Sequence, residues 1–143
     1  MKADNYIKLE FPARAVNEGF ARSAAAAFVS QLDPTLTELG DIKTAVSEAV
    51  TNAVVHAYPK EIGVIQMRLR ILSGDVLEIV VKDKGVGIPD VDRARTPLYT
   101  TGGEDRSGMG FTIMEGFMDK LRVRSAPGRG TTITMRRRLL RRS

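Results

Sequence analysis

Apolar and polar residues alternate near the start of the chain. The run Tyr6-Ile7-Lys8-Leu9-Glu10-Phe11 predicts a strand with Ile7, Leu9 and Phe11 facing inward. The period then lengthens. An alanine-rich segment from about Val16 to Leu32 predicts a helix that ends at Asp33-Pro34, and a second helix is expected from about Leu36 to Tyr58, stopped by Pro59. Alternation returns in two runs joined at Ser73-Gly74-Asp75, which is a hairpin signal. A long segment rich in glycine, proline and charge follows, from Lys84 to Gly110; structureless stretches of that length are usually functional or mobile. A short helix beginning near Gly110 and a final hairpin across Pro127-Gly128-Arg129-Gly130 complete the pattern. The order β-α-α-β-β-loop-α-β-β predicts an α+β fold, a two-layer sandwich in which one mainly antiparallel, mixed sheet is covered by helices.

At 143 residues this is expected to be one domain, with a basic tail over about 136–143. Cysteine is absent, which excludes disulfides, thiolate metal sites and a cysteine nucleophile. The N-terminus has no apolar signal region, and no apolar run approaches the roughly 18 residues of a membrane helix. A cytoplasmic protein with no membrane partner is the expectation. The formal charge of +5 conceals an asymmetry, because all 17 acidic residues precede residue 120. Nine of the 22 Lys and Arg lie from Lys120 onward, so residues 1–119 carry 13 − 17, or −4. The basic end can bind an anionic surface or be a solvated terminus; with no nucleic-acid-binding motif, direct nucleic-acid binding is not expected.

Within the second helix, Glu48, Asn52 and His56 recur at steps of four. On a wheel with Leu39 at the origin, Ile42, Val46, Ala49 and Ala53 form the core stripe, and the three polar residues fall near roughly 180°, 220° and 260°. That placement permits a solvated face with a boundary histidine. Yet no Lys or Arg occurs between Thr44 and Tyr58, and a carboxylate beside an amide oxygen suits a hard cation such as Mg²⁺.

Two glycine motifs follow. In Asp83-Lys84-Gly85-Val86-Gly87 the carboxylate can accept from an exocyclic amine, and the glycines let backbone lie against a flat ring; a tight turn with an Asp cap explains the motif about as well. In Arg106-Ser107-Gly108-Met109-Gly110 the free N–H groups of a helix start and an arginine can hold phosphate, or the glycines can serve close packing. No Gly-Lys pair forms a P-loop, Asp90 and Ile113 break G-x-G-x-x-G, and the H-R-D and D-F-G signatures of ordinary protein kinases are missing.

Taken in order, SEAVTNAVVH, DKGVG, SGMGF and GRGTT resemble the N, G1, G2 and G3 boxes of the GHKL ATPase superfamily, whose fold is the Bergerat ATP-binding sandwich. The longer segments FARSAAAAFVSQLDPT, IKTAVSEAVTNAVVHAY and RSGMGFTIMEGFMD resemble the sporulation anti-sigma-F factors, serine-protein kinases of that superfamily, over about residues 6–135. The resemblance implies ATP or ADP with Mg²⁺ as cofactors. It implies Glu48 as general base, Asn52 as the Mg²⁺ ligand, Asp83 as the adenine reader and Thr131 as its helper. Gly85, Gly87, Gly108 and Gly110 then admit base and phosphates, and Arg106 is a lid arginine near the γ-phosphate. His56 is assigned no chemistry.

The same resemblance implies a homodimer that holds a sigma factor through a surface containing Arg22 and phosphorylates a serine of an anti-anti-sigma protein. A stress-response kinase of the same fold, a histidine-kinase catalytic module and a non-catalytic nucleotide-gated binding module are the alternatives. The histidine-kinase reading lacks an acceptor, since the one histidine lies inside the N box. The segment after Thr100-Thr101 departs from the family pattern, with Gly102-Gly103 in place of a lysine, and Lys84 stands where an acidic residue is common.

Overall fold

A computed structural model describes residues 3–58, 61–95 and 110–140 of the chain. Strand β1 (Ala3–Pro12) leads into α1 (Val16–Val29), whose end tightens into a 3₁₀ turn over Ser30–Leu32. Helix α2 (Leu36–Asn52) follows and passes into a π-helical turn over Ala53–Ala57. Then come β2 (Val64–Leu72), β3 (Val76–Asp83), the short α3 (Val91–Ala94), α4 (Gly110–Phe117), β4 (Lys120–Ala126) and β5 (Gly130–Arg138). The strands form one sheet in the order β1-β2-β3-β5-β4, antiparallel at every pairing among the described residues. The α+β sandwich is therefore as expected. Among the described residues no helix is long and apolar enough to cross a membrane.

Alternation along each strand sends one set of side chains to the helices. Rows such as Ile7–Leu69–Ile79–Met135–Leu121 and Leu9–Met67–Val81–Ile133–Val123 run across the sheet by strand register. They pack beneath α1, through Ala21, Ala25 and Phe28, and α2, through Ile42, Val46, Ala49 and Val50. Each fully buried Ile or Leu contributes about 1.5–3 kcal/mol of transfer free energy. The alanines bring the helix backbones close to the sheet and to each other.

Helix α2 begins with a capping box that the sequence reading did not use. Glu38 N–H donates to Thr35 Oγ1 at 3.0 Å, and Thr35 N–H donates back to Glu38 Oε1 at 2.8 Å. The second oxygen, Oε2, accepts from Leu140 N–H at 2.9 Å. Burial alone would raise the Glu38 carboxyl, but the bonds from Thr35 and Leu140 outweigh it, so the group sits below its ordinary value. One carboxylate thus fastens the start of α2 to the end of the chain.

Among the described residues no helix lies on the opposite face of the sheet, which displays three rows. They are Tyr6–Arg70–Glu78–Arg136–Lys120, Lys8–Arg68–Val80–Thr134–Arg122 and Glu10–Gln66–Lys82–Thr132–Arg124. Glu78 is 2% exposed here, although alternation alone places it on a solvent face. Its Oε1 accepts from Arg70 at 2.6 and 2.7 Å and its Oε2 from Arg136 at 2.7 and 2.9 Å. Burial opposes the charge of Glu78, and these two arginine forks overcome it, holding the carboxyl below its ordinary value.

Candidate functional site

The two central core-facing rows of the sheet are apolar; in the next, Phe11–Ile65–Asp83–Thr131–Ser125, three polar residues replace the aliphatic pattern. Asp83 is only 4% exposed and Thr131 likewise. Oδ1 of Asp83 accepts from Gly85 N–H at 3.0 Å and from Thr131 N–H at 3.2 Å. Both bonds arrive on Oδ1, which leaves Oδ2 to accept from an incoming donor such as an exocyclic amine. Beside it the Ser125 and Thr131 hydroxyls are 2.8 Å apart. Ser125 also receives Ile88 N–H at 2.7 Å and reaches Gly130 O at 3.0 Å. If its single proton goes to Gly130, Thr131 donates to Ser125 and keeps lone pairs for a ligand or a water.

The loop after Asp83 is held on both sides. Val86 N–H donates to Ala57 O at 2.9 Å, in the last π turn of the second helix. Tyr58 Oη accepts from Lys84 N–H and donates to Val64 O, both at 2.8 Å. On the other side Gly128 N–H donates to Val86 O at 2.7 Å. The expected helix to Tyr58 is therefore continuous in path but changes type after Asn52, and the π turn carries a carbonyl to the loop. Side chains would obstruct this arrangement. A Cβ on Gly85 would lie 2.1 Å from Ala57 O, and one on Gly130, whose φ is +93°, 2.2 Å from Asp83 O.

Above this floor stands the polar edge of α2. Glu48 and Asn52 are half-buried and have no hydrogen-bond partner among the described residues. Half-buried polar groups without partners are what a site for a polar ligand presents before the ligand arrives. Gly110, the first residue of α4, meets Glu48 directly: a Cβ there would be 3.2 Å from Glu48 Oε2. Phe111 and Met114 bury α4 against the core, and Arg137 secures its far end. The Arg137 guanidinium donates to Phe117 O at 2.9 Å and to Asp41 of α2 at 2.6 Å. His56 is half-buried in the π turn.

The structure thus gathers Asp83, Gly85, Gly87 and Thr131 at one end of the sheet, and pairs Glu48 with Gly110 on the adjoining wall. Arg106 and Gly108, with Thr100 and Thr101, lie outside the described residues. Arg22 stands on α1, exposed and 3.8 Å from Glu18, which in turn accepts the Ser47 hydroxyl of α2. Sequence reasoning missed Ala57, Tyr58 and Ser125, whose roles come from neighbours remote in sequence and leave no local signal. Among the described residues no cluster of three or more His, Cys, Asp or Glu could hold a metal by itself. The donor set fits an oxygen-coordinated cation that comes with a polyanionic ligand, with Asn52 as the protein's carboxamide donor.

Burial raises the Asp83 carboxyl above its ordinary value, against the lowering effect of the Gly85 and Thr131 N–H bonds. The native protein consequently holds this proton more tightly than the unfolded chain. The associated stability is complete below the unfolded value, about 3.9, and is lost as pH rises through the folded one. Asp83→Asn should remove that loss, leaving neutral-pH stability no lower than wild type. ATP affinity should nevertheless fall at least about tenfold, the scale of one charged hydrogen bond. Thermal unfolding across a pH series, with ATP titration, checks both halves.

Comparison with known proteins agrees with this geometry. A family model described as the histidine kinase-like ATPase domain matches residues 11–137. An anti-sigma F factor of Clostridium novyi is 53% identical over 137 residues, 94% of this chain and 95% of that one. Its counterpart in Pasteuria penetrans is 56% identical, over 94% of this chain and 91% of that protein. The RsbU and RsbW domains of a Mycobacterium tuberculosis protein superpose with a TM-score of 0.71 at 19% identity, covering 97% of this chain and 34% of that one, a likeness of fold alone. With its sheet, its glycine-lined floor and half-identical relatives of the same length in agreement, the chain belongs to the anti-sigma F factor family of histidine kinase-like ATPase domains.

Proposed function

We propose that the chain is an anti-sigma factor that restrains a sporulation sigma factor and, with Mg-ATP, phosphorylates a serine of an anti-anti-sigma protein. The observation that carries the catalytic half is the wall formed by Glu48 and Asn52, two half-buried polar groups without hydrogen-bond partners among the described residues, with Glu48 at the start of α4. Bound Mg-ATP would supply the γ-phosphoryl group and the cation that offsets its charge. Asp83 accepts from the exocyclic amine of the base, aided by Thr131, while Gly85 and Gly87 leave space against the backbone. Asn52 offers its side-chain oxygen to the cation. Glu48 takes the proton of the attacking serine hydroxyl as that oxygen bonds to phosphorus and ADP departs. Arg106, Gly108 and Gly110 belong to the phosphate side of the same reading. Arg22, exposed on α1, contributes to the sigma-binding surface of a homodimer.

The test is transfer from γ-labelled Mg-ATP to a candidate anti-anti-sigma protein, with sigma retention measured in parallel. Label on a partner serine together with sigma retention is the expected result. ATP binding and sigma retention without transfer would replace the kinase with a nucleotide-gated binding module. Transfer without sigma retention would separate the enzyme from the anti-sigma role.

A further inference from the structure

We propose that the helix-free face of the sheet is a docking surface for the phosphate backbone of double-stranded DNA. Its three rows contain eight Lys or Arg against two glutamates, half of the cations coming from β1, β2 and β3. This differs from the expectation drawn from the sequence, where positive charge collects at the C-terminal end and nucleic acid has no place. Folding superposes Lys8, Arg68 and Arg70 on the same surface as the late strands, so a dispersed set of charges becomes one field.

The two carboxylates lower that field without cancelling it, leaving 8 − 2, or +6, on the three rows. Glu10 sits on the edge strand β1 and accepts from Gln66 at 3.0 Å. Glu78 is spent on fixing arginines: Arg70 and Arg136 fork onto it, and Arg68 approaches to 3.5 Å. Three guanidinium groups around one carboxylate leave a local surplus of two charges, fixed in place and partly shielded from water. The Arg68 guanidinium is under-satisfied, and its exposed part, not its buried Nε, is what can meet an anion. Arg68 Nε is the one buried side-chain nitrogen or oxygen without a hydrogen-bond partner among the described residues. Buried donors normally have acceptors, and the only carboxylate within reach is already saturated.

The composition of the surface selects the occupant. A protein partner needs apolar anchors at the centre of its footprint, and here the centre is Val80, half-buried, between threonines and arginines. Single-stranded nucleic acid needs aromatic platforms, and the face has only Tyr6, at its edge. A duplex backbone requires neither. Thr132 and Thr134 form a low polar floor between a basic ridge on β1 and β2 and another along Lys120, Arg122 and Arg124 of β4. Strands β2 and β4 are three sheet spacings apart, roughly 14 Å, the scale of the roughly 12 Å major groove whose bordering phosphates the ridges can meet. Such contact reads no sequence and calls for no recognition motif. It also leaves the nucleotide side of the sheet unobstructed.

The experiment is fluorescence anisotropy of a short mixed-sequence DNA duplex with the full chain across a salt series. The variants are Arg122→Glu/Arg124→Glu on one ridge, Lys8→Glu on the other, and Arg141→Ser/Arg142→Ser in the C-terminal segment. Saturable binding with a log–log salt slope of about −3 to −5 is expected. The paired reversal should weaken binding at least about tenfold and reduce the slope by about 2, with ATP affinity unchanged as the control for folding. Lys8→Glu should act in the same direction, and the C-terminal variant should bind like wild type. Binding that persists in both ridge variants, or that disappears with Arg141 and Arg142, overturns the proposal. So does tighter binding of single-stranded than of duplex DNA. Failure to bind duplex at low salt while binding polyglutamate also overturns it, and assigns the face to an acidic protein.

Discussion

Glu48→Ala is expected to reduce phosphate transfer by about 10²–10⁴-fold, the usual cost of losing a general base, while ATP affinity stays within a few-fold of wild type. The separation follows from the surroundings of Glu48. It has no hydrogen-bond partner among the described residues, so its removal orphans no neighbour and should spare the fold. It stands on α2 at the start of α4, whereas the floor of Asp83 and Thr131 lies at the end of the sheet and is held by other bonds. Glu48→Gln retains the shape and loses the basicity, so it should match the alanine variant in transfer. Single-turnover transfer and equilibrium ATP binding are the two measurements. Equal loss in both would make Glu48 a binding group, and unchanged transfer would end its assignment as base.

Gly85→Ala should be among the most damaging single-methyl changes in the site. Its new carbon would stand 2.1 Å from Ala57 O and 2.5 Å from Ala57 C, both backbone atoms that no rotamer change can move. Relief requires separating the loop from the π turn, which opens the 2.9 Å bond from Val86 N–H to Ala57 O. Overpacking of this kind costs about 1–3 kcal/mol, and the lost bond about 0.5–1.5 kcal/mol more. A melting-temperature drop of about 5–15 °C follows for a chain of this length. ATP affinity should fall more than about 100-fold, because the displaced loop also carries a bond to Asp83. Gly116→Ala is the matched control: its methyl meets nothing within 4 Å, and alanine is the better helix former, so stability should rise by about 0.5–1 kcal/mol. Calorimetry and ATP titration of both variants check the pair. An ATP-competent Gly85→Ala protein would show that the loop is not coupled to the helix end.

How much of this was legible in the sequence depends on how local each cause is. Alternation in Ile7-Lys8-Leu9-Glu10-Phe11 and the helical period around Ile42, Val46 and Ala49 reflect neighbours within a few residues, so element types and the core face could be read directly. Asp83 and its glycines were visible as a motif, yet a capped turn explained them equally until Thr131, 48 residues away, was seen to share the same oxygen. The π turn was invisible because one extra residue in a single turn has no periodic signature. Glu78 gave no signal for a related reason: alternation places it in water, and arginines from two other strands bury it. Glu38 announced its capping box with Thr35, but Leu140, 102 residues later, could not be inferred from any spacing.

The strand order has a consequence for how the protein is made. β5 is the last of the described strands along the chain, yet it lies inside the sheet between β3 and β4 and supplies Thr131 to the floor beside Asp83. While the ribosome still holds β5, β3 is an uncovered edge and the floor beside Asp83 lacks one wall. Nascent and prematurely terminated chains should therefore neither capture nucleotide nor persist, since an exposed aliphatic edge is what quality-control proteases and chaperones recognise. Emergence of β5 becomes the step that completes the floor beside Asp83.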